Sequence, residues 1–197
     1  MNSLAPALRS FGICRVYRSV FTDNVAQNLD GGAIRNNGTM TLIDCDVSDN
    51  TAGNLGGEIL NWGGNLTVDG TTLFDNSAGQ NGGAIQNQLG GAVQVRNSAI
   101  AGNSADVSGA IHNATNGTVS LYGTTISGNT ATSDGGAISN LGAFSAVNST
   151  FSGNSATRSG GALHHVGTSA SFLSSTVVNN SADAANSGFG EGGGIFV

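Results

Sequence analysis

The chain contains no lysine, and its only basic side chains besides three histidines are six arginines, set against 12 acidic residues for a formal net charge of −6. A nucleic-acid binder is expected to carry a basic stripe, and none can be drawn here. The same shortage argues against an anionic membrane surface as partner. Charged residues make up only 9% of the chain, against roughly 25% in ordinary soluble domains. Disordered chains usually pair low hydrophobicity with many charges, so this composition argues against disorder. There is one proline beside 32 glycines. That balance suits many tight turns and closely stacked backbone. No strict Gly-X-Y period runs through it, which excludes collagen. The two cysteines, Cys14 and Cys45, supply neither metal-ligand spacing nor a disulfide framework. No run of 18 apolar residues exists, so no membrane-spanning helix and no membrane insertion are expected. Residues 1–11 lack the apolar core of a signal peptide.

What is present is a repeat, the feature to seek before secondary structure. One half reads apolar-x-x-Asn, then Ser or Thr, then Ala: VSDNTA at 47–52, LFDNSA at 73–78, ISGNTA at 126–131, FSGNSA at 151–156. Its asparagines are 24, 50, 76, 103, 129, 154 and 180, spaced by 25 to 27 residues. The other half reads Gly-Gly-Ala-Ile-x-Asn, as in GGAIRN at 31–36, GGAIQN at 82–87 and GGAISN at 135–140. Between them lie alternating stretches such as GTMTLIDCDV at 38–47. Period-2 alternation means strands, and no helical period is sustained anywhere. Each repeat holds about three short strands, too little to bury a face alone, but stacked repeats bury continuous columns. The expected fold is all-β: a single-stranded parallel β-helix of about seven coils, each of about 26 residues.

Aligning the asparagines makes four apolar columns explicit. Phe21, Val47, Leu73, Ile100, Ile126, Phe151 and Val177 form one; Ile34, Ile59, Ile85, Ile111, Ile138, Leu163 and Ile195 another. A third runs from Val16 through Leu42 to Phe172, and a fourth from Cys14 through Met40 to Ala170. Cys45 falls in a column of small residues with Thr71 and Ser98. Both cysteines therefore read as free thiols in packing roles. The asparagines read as turn residues whose amides bond each other rung to rung at the strand spacing of about 4.8 Å. His165 stands where an asparagine is due and is expected to continue that ladder.

The paired motifs Gly-Gly-Ala-Ile and Phe-x-x-Asn resemble the repeats of the polymorphic outer-membrane protein family. They are also similar to Gly-Gly-x-Ile-x-Asn repeats of large bacterial surface proteins. The resemblance covers roughly residues 12–197. It implies a right-handed helix, an extracellular or cell-surface location, and adhesion as the usual role. Residues 1–11 fall outside the repeat and are expected to form a cap. The last coil ends after the seventh Gly-Gly strand, so end-to-end association of copies is expected there. The turn at 183–191 is longer than its counterparts and is a candidate binding excursion.

Candidate site residues are the departures from the repeat. Asp23, Asp49 and Asp75 precede the motif asparagine in three successive coils. On adjacent rungs they would lie about 5 Å apart, and like charges that close either take up protons or gather a cation. Oxygen ligands of this kind suit Ca²⁺, so calcium is the one cofactor these residues could hold. The alternative is that each aspartate caps a turn. On the Gly-Gly strand, Arg35, Leu60, Gln86, His112, Ser139, His164 and Phe196 form a column expected to face outward. Arg35, His112, Ser139 and His164 are its candidates for surface binding. No acid in that column could orient either histidine, so a hydrolytic triad is not expected. Glu58, in a further column taken to face outward, is expected to pair with Arg35 on the surface.

Three functions follow in order. The first is a non-catalytic extracellular β-helix module for adhesion or structural interaction, with a surface glycan or protein as partner. The second is a polysaccharide-binding or polysaccharide-cleaving, pectate-lyase-like β-helix, whose test is a cleft joining acids to a base. The third is an ice-binding solenoid, prompted by Thr125-Ile126-Ser127 and Thr150-Phe151-Ser152; Asp46 and Ala99 interrupt that row.

Overall fold

The computed structural model describes residues 6–182 and 190–197. Every described strand pairs in parallel with the equivalent strand one coil away, and four sheets result, of 8, 7, 7 and 6 strands. Sheet 1 holds the Gly-Gly strands, such as Ile34–Asn36 and Ile59–Trp62. Sheet 2 holds five-residue strands such as Thr39–Ile43 and Asn65–Asp69. Sheet 3 holds three-residue strands such as Asp46–Ser48, and sheet 4 two-residue strands such as Thr51–Ala52. The fold class is the one expected, an all-β solenoid of stacked coils. Three strands per coil were expected and four are present, because two residues are too few to show alternation. The loop at 183–191 lies mostly outside the described residues, which omit 183–189.

The register reproduces the sequence columns. Phe21 faces Val47, Leu66 faces Val93, and Ile34 faces Ile59 as Cα partners. Residues Leu8–Ser10 add a first strand to sheet 1, with Leu8 opposite Ile34, so the solenoid already begins inside the segment read as a cap. The inward residues of sheets 1 to 3 meet in one continuous core, in which Ile34, Leu42, Leu73, Ile85, Ile100, Ile111 and Phe151 are fully buried. Truncating one such Leu or Ile to Ala typically costs about 2–5 kcal/mol. In the sixth coil Ala146 replaces a larger residue, and the rings of Phe144, Phe151 and Phe172 fill the space edge to face, with centroids 5.5 to 6.3 Å apart. Volume is kept by sharing it between neighbours, as close packing requires.

Two asparagine ladders run the length of the core. In the first, Asn76 Oδ1 accepts the Asn50 backbone N–H at 2.9 Å and the Asn50 amide at 3.0 Å, while Asn76 Nδ2 passes the pattern on to Asn103 Oδ1. In the second, Asn36, Asn61, Asn87, Asn113 and Asn140 are linked at 2.6 to 2.8 Å. It ends on His165 Nδ1, 2.8 Å from Asn140 Nδ2, as expected. These contacts satisfy buried backbone groups that would otherwise each cost about 1–3 kcal/mol. The small column does the same with hydroxyls: Thr71 Oγ1 accepts from the Cys45 N–H and Ser98 Oγ from the Thr71 N–H. Cys45 is buried, Cys14 is half-buried, and both are free thiols.

The Gly-Gly pair has two separate causes. Its first position lies in the left-handed region, at φ +68° for Gly82 and +62° for Ser108. Its second lies so close to the next coil that a Cβ on Gly83 would collide with the Gly109 carbonyl oxygen. Ser108 shows that a side chain is tolerated at the first position, whereas at Gly83 the backbone of the next coil leaves no room for one.

Candidate functional site

The column Arg35–Leu60–Gln86–His112–Ser139–His164 stacks in register, as expected. It is not an open surface. Leu60 and Gln86 are 0% exposed, Ser139 2% and His112 9%. The turn carrying the first glycine of each pair folds back against this side of the strand. A Cβ on Gly31 would sit 3.4 Å from Leu60 Cβ, and Ser108 Oγ accepts the Ser139 N–H at 2.8 Å. Period-2 alternation tells the two faces of a strand apart, but it cannot say that a turn will cover the second face.

Burial governs the chemistry of these groups. Desolvation lowers the His112 pKa from 6.5 to about 4, so its imidazole is neutral at physiological pH. His164 is also lowered, chiefly by burial; Asp134 opposes the shift, while Arg158 and His165 add to it. Among the described residues no carboxylate is hydrogen-bonded to either histidine. The Nδ1 atoms of both, and both polar atoms of the Gln86 side chain, are buried without a hydrogen-bond partner. His164 stacks on Phe196 with ring centroids 5.1 Å apart. Of the four candidates in this column, Arg35 and His164 are half-buried while His112 and Ser139 are enclosed. They do not converge on one point.

Glu58 departs furthest from expectation. The surface pair with Arg35 is absent: Glu58 is 0% exposed inside the solenoid, and its Oε2 accepts from Asn76 Nδ2 at 2.9 Å. Arg35 instead lies 4.0 Å from Asp30, with its guanidinium 4.9 Å from the centre of the Trp62 ring. The reason is positional. The strand begins at Ile59, so Glu58 belongs to the preceding turn, where alternation does not apply and where Ala33, Ala84, Ala110, Ala137 and Ala162 point inward. Burial raises the Glu58 pKa well above 4.5, and the nearby Asp46 and Cys45 raise it further.

Asp23, Asp49 and Asp75 all sit in left-handed turns, at φ 57°, 57° and 53°. The equivalent Gly102, Gly128 and Gly153 adopt the same conformation at φ 63° to 67°. A side chain at 102 would collide with Asp75 Oδ1, which shows that this carboxylate reaches toward the next coil. Among the described residues no group of three or more His, Cys, Asp or Glu side chains is arranged to hold a metal ion. On sheet 3, Thr125, Thr150 and Thr176 align in register, as do Ser127 and Ser152, while Asp46, Phe74 and Ala99 break the row in the earlier coils.

Two cavities lie on the outer face of sheet 2, where no candidate had been placed. One of about 260 Å³ is lined by residues that include Thr67, Gln94 and Ser120. The other, of about 420 Å³, is lined by Asp69, Gln94, Arg96, Asn97 and Tyr122. The signal for it was in the sequence: Asp69, Arg96 and Tyr122 occupy one outward column in successive coils, a position that is apolar in Ile43, Val147 and Leu173.

Residues 123–141 and 148–165 match the family model of the Chlamydia polymorphic membrane protein repeat. Each matched segment contains one apolar-x-x-Asn half and the Gly-Gly half that follows it. No curated protein and no solved structure matches the chain. The protein is thus a parallel β-solenoid, and two of its coils match the polymorphic membrane protein repeat.

Proposed function

We propose, from a solenoid built of polymorphic membrane protein-type repeats, that this chain is a non-catalytic cell-surface or extracellular module whose outer sheet faces serve adhesion. The repeat type points to a surface-associated β-helix. The observation that carries the reading is how the polar residues are used. The motif asparagines and the threonines and serines of the small column are consumed by internal ladders, and the histidines are enclosed or half-buried without a carboxylate partner. What stays available to a partner is the ridged exterior of stacked strands, a continuous, rigid and preorganised surface of the kind solenoids present. The sequence alone also allowed polysaccharide cleavage, which needs two carboxyls, or acids beside a base, across one bond; the sheet 2 cavity holds a single carboxylate, Asp69, beside Arg96, so the reading favoured is binding without cleavage.

The test is adhesion itself. Beads coated with the purified chain are expected to be retained on a panel of cell monolayers and immobilised matrix proteins above albumin-coated beads. Retention on no member of the panel above that control would overturn the proposal.

A further inference from the structure

The two cavities on sheet 2 adjoin at Gln94, which lines both, and the larger forms a groove across three middle coils. We propose that this groove binds a saccharide chain, with Tyr122 as the stacking platform and Arg96, Asp69, Gln94 and Asn97 as hydroxyl-reading groups. The proposal rests on the adhesive reading above and deepens it by giving that surface a position and a ligand class.

The chemistry is that of a polyhydroxylated ring. A pyranose has a C–H face that packs on an aromatic ring and an edge of vicinal hydroxyls that pairs with planar polar groups. Both complements are present at adjacent positions. Tyr122 is 51% exposed, so its ring is open to a ligand. Arg96 lies between Asp69 and Tyr122 in the strand register. Among the described residues it forms no ion pair, so its fork of donors is free to engage two oxygens at once. Asp69 Oδ1 accepts from Asn97 Nδ2 at 3.1 Å, which orients the carboxylate and leaves Oδ2 for a ligand hydroxyl. The Gln94 side chain lines the groove and makes no hydrogen bond among the described residues. Thr67 and Ser120 continue that floor with hydroxyls.

Size and placement agree with this ligand. About 420 Å³ falls within the usual range of small-ligand sites, roughly 300–1,000 Å³. Three rungs span about 10 Å, enough for about two sugar rings laid along the solenoid axis. In the column of Asp69, Arg96 and Tyr122, the apolar residues Ile43 and Val147 bound the groove on either side. Asp69, Gln94, Arg96 and Tyr122 are held on strands, so little order is lost when a ligand binds.

Screening the labelled protein on an array of bacterial and animal glycans is expected to retain at least one glycan class. Titration of a retained oligosaccharide should then show at least a tenfold loss for Tyr122→Ala and for Arg96→Ala, with no change for Ser171→Ala on the same sheet. All three positions are exposed, so unchanged melting confirms the fold. An array with no retained glycan, or binding undiminished in both groove variants, overturns the proposal. Bead adhesion separates this outcome from the broader one. If adhesion persists in Tyr122→Ala and Arg96→Ala, the adhesive role stands and the groove assignment falls. If the groove variants lose glycan while wild-type beads adhere to nothing, the groove stands and adhesion falls.

Discussion

Replacing Glu58 with alanine should make this protein more stable at neutral pH, and the pH dependence carries the sharper test. Glu58 has no exposure, and one of its oxygens, Oε1, has no hydrogen-bond partner. Its other oxygen takes a hydrogen bond from Asn76 Nδ2, yet that amide also reaches Asn103 Oδ1 and the Val47 carbonyl, each at 3.0 Å. Two acceptors suffice for its two hydrogens, so removing the carboxyl leaves no orphaned donor. Alanine is the residue found in this column in five other coils. Relief of a buried, half-satisfied polar group is worth about 1–3 kcal/mol, from which a partial cavity term subtracts. The folded pKa lies above the unfolded value of 4.5 because of burial first, then Asp46 and Cys45. Between those two values the native state holds a proton that the unfolded chain has released. Stability conferred below pH 4.5 is therefore lost as pH rises, at up to about 1.4 kcal/mol per pH unit. Urea unfolding of wild type and Glu58→Ala from pH 5 to 8 should show this decline in the wild type only. A variant that is less stable throughout and keeps the wild-type slope would refute the reasoning.

His112 acts with the opposite sign. Its pKa falls from 6.5 to about 4 on folding, so its contribution is complete above pH 6.5 and about 3 kcal/mol is lost as pH drops to 4; His112→Gln should flatten that limb in the same unfolding series. Asn103→Ala removes the acceptor of both the Asn76 N–H and the Asn76 amide and should cost about 2–4 kcal/mol, whereas Asn54→Ala, at a turn, should stay within about 0.5 kcal/mol; denaturation midpoints compare the two. Gly83→Ala forces a Cβ against the Gly109 carbonyl and should cost about 3 kcal/mol, measured by thermal melting. Calcium and chelator should leave the melting temperature unchanged if Asp23, Asp49 and Asp75 serve only as left-handed turn residues; a rise with calcium would place a cation among them.

Much of the fold could be read from the repeat because a solenoid is nearly one-dimensional. Each coil contacts its neighbours in a constant register, so columns drawn by aligning the asparagines became Cα partners in the structure. Both ladders could be read in the same way, including the substitution of His165 for asparagine. The fourth sheet was harder to see, since a Thr-Ala pair has no period. The sheet 2 groove was visible only as a column whose residues change from apolar to Asp, Arg and Tyr, and nothing in the sequence marked those outward positions as a cavity.

The sequence by itself determined the stacking: which residues repeat, which side of each strand is apolar, and where glycine and asparagine turn the chain. Those are local and nearest-coil properties, and a 26-residue period encodes them seven times over. The tertiary structure alone decided what lies outside the first layer. The turn before each sheet 1 strand folds onto the strand's second face, so His112, Ser139 and Gln86 are enclosed rather than displayed. Glu58 enters the core because it stands one residue before its strand begins. Whether a face is covered depends on the path of the chain between strands, and that path is set by backbone turns in the left-handed region and by close approach of one coil to the next, for which a hydrophobic pattern carries no code.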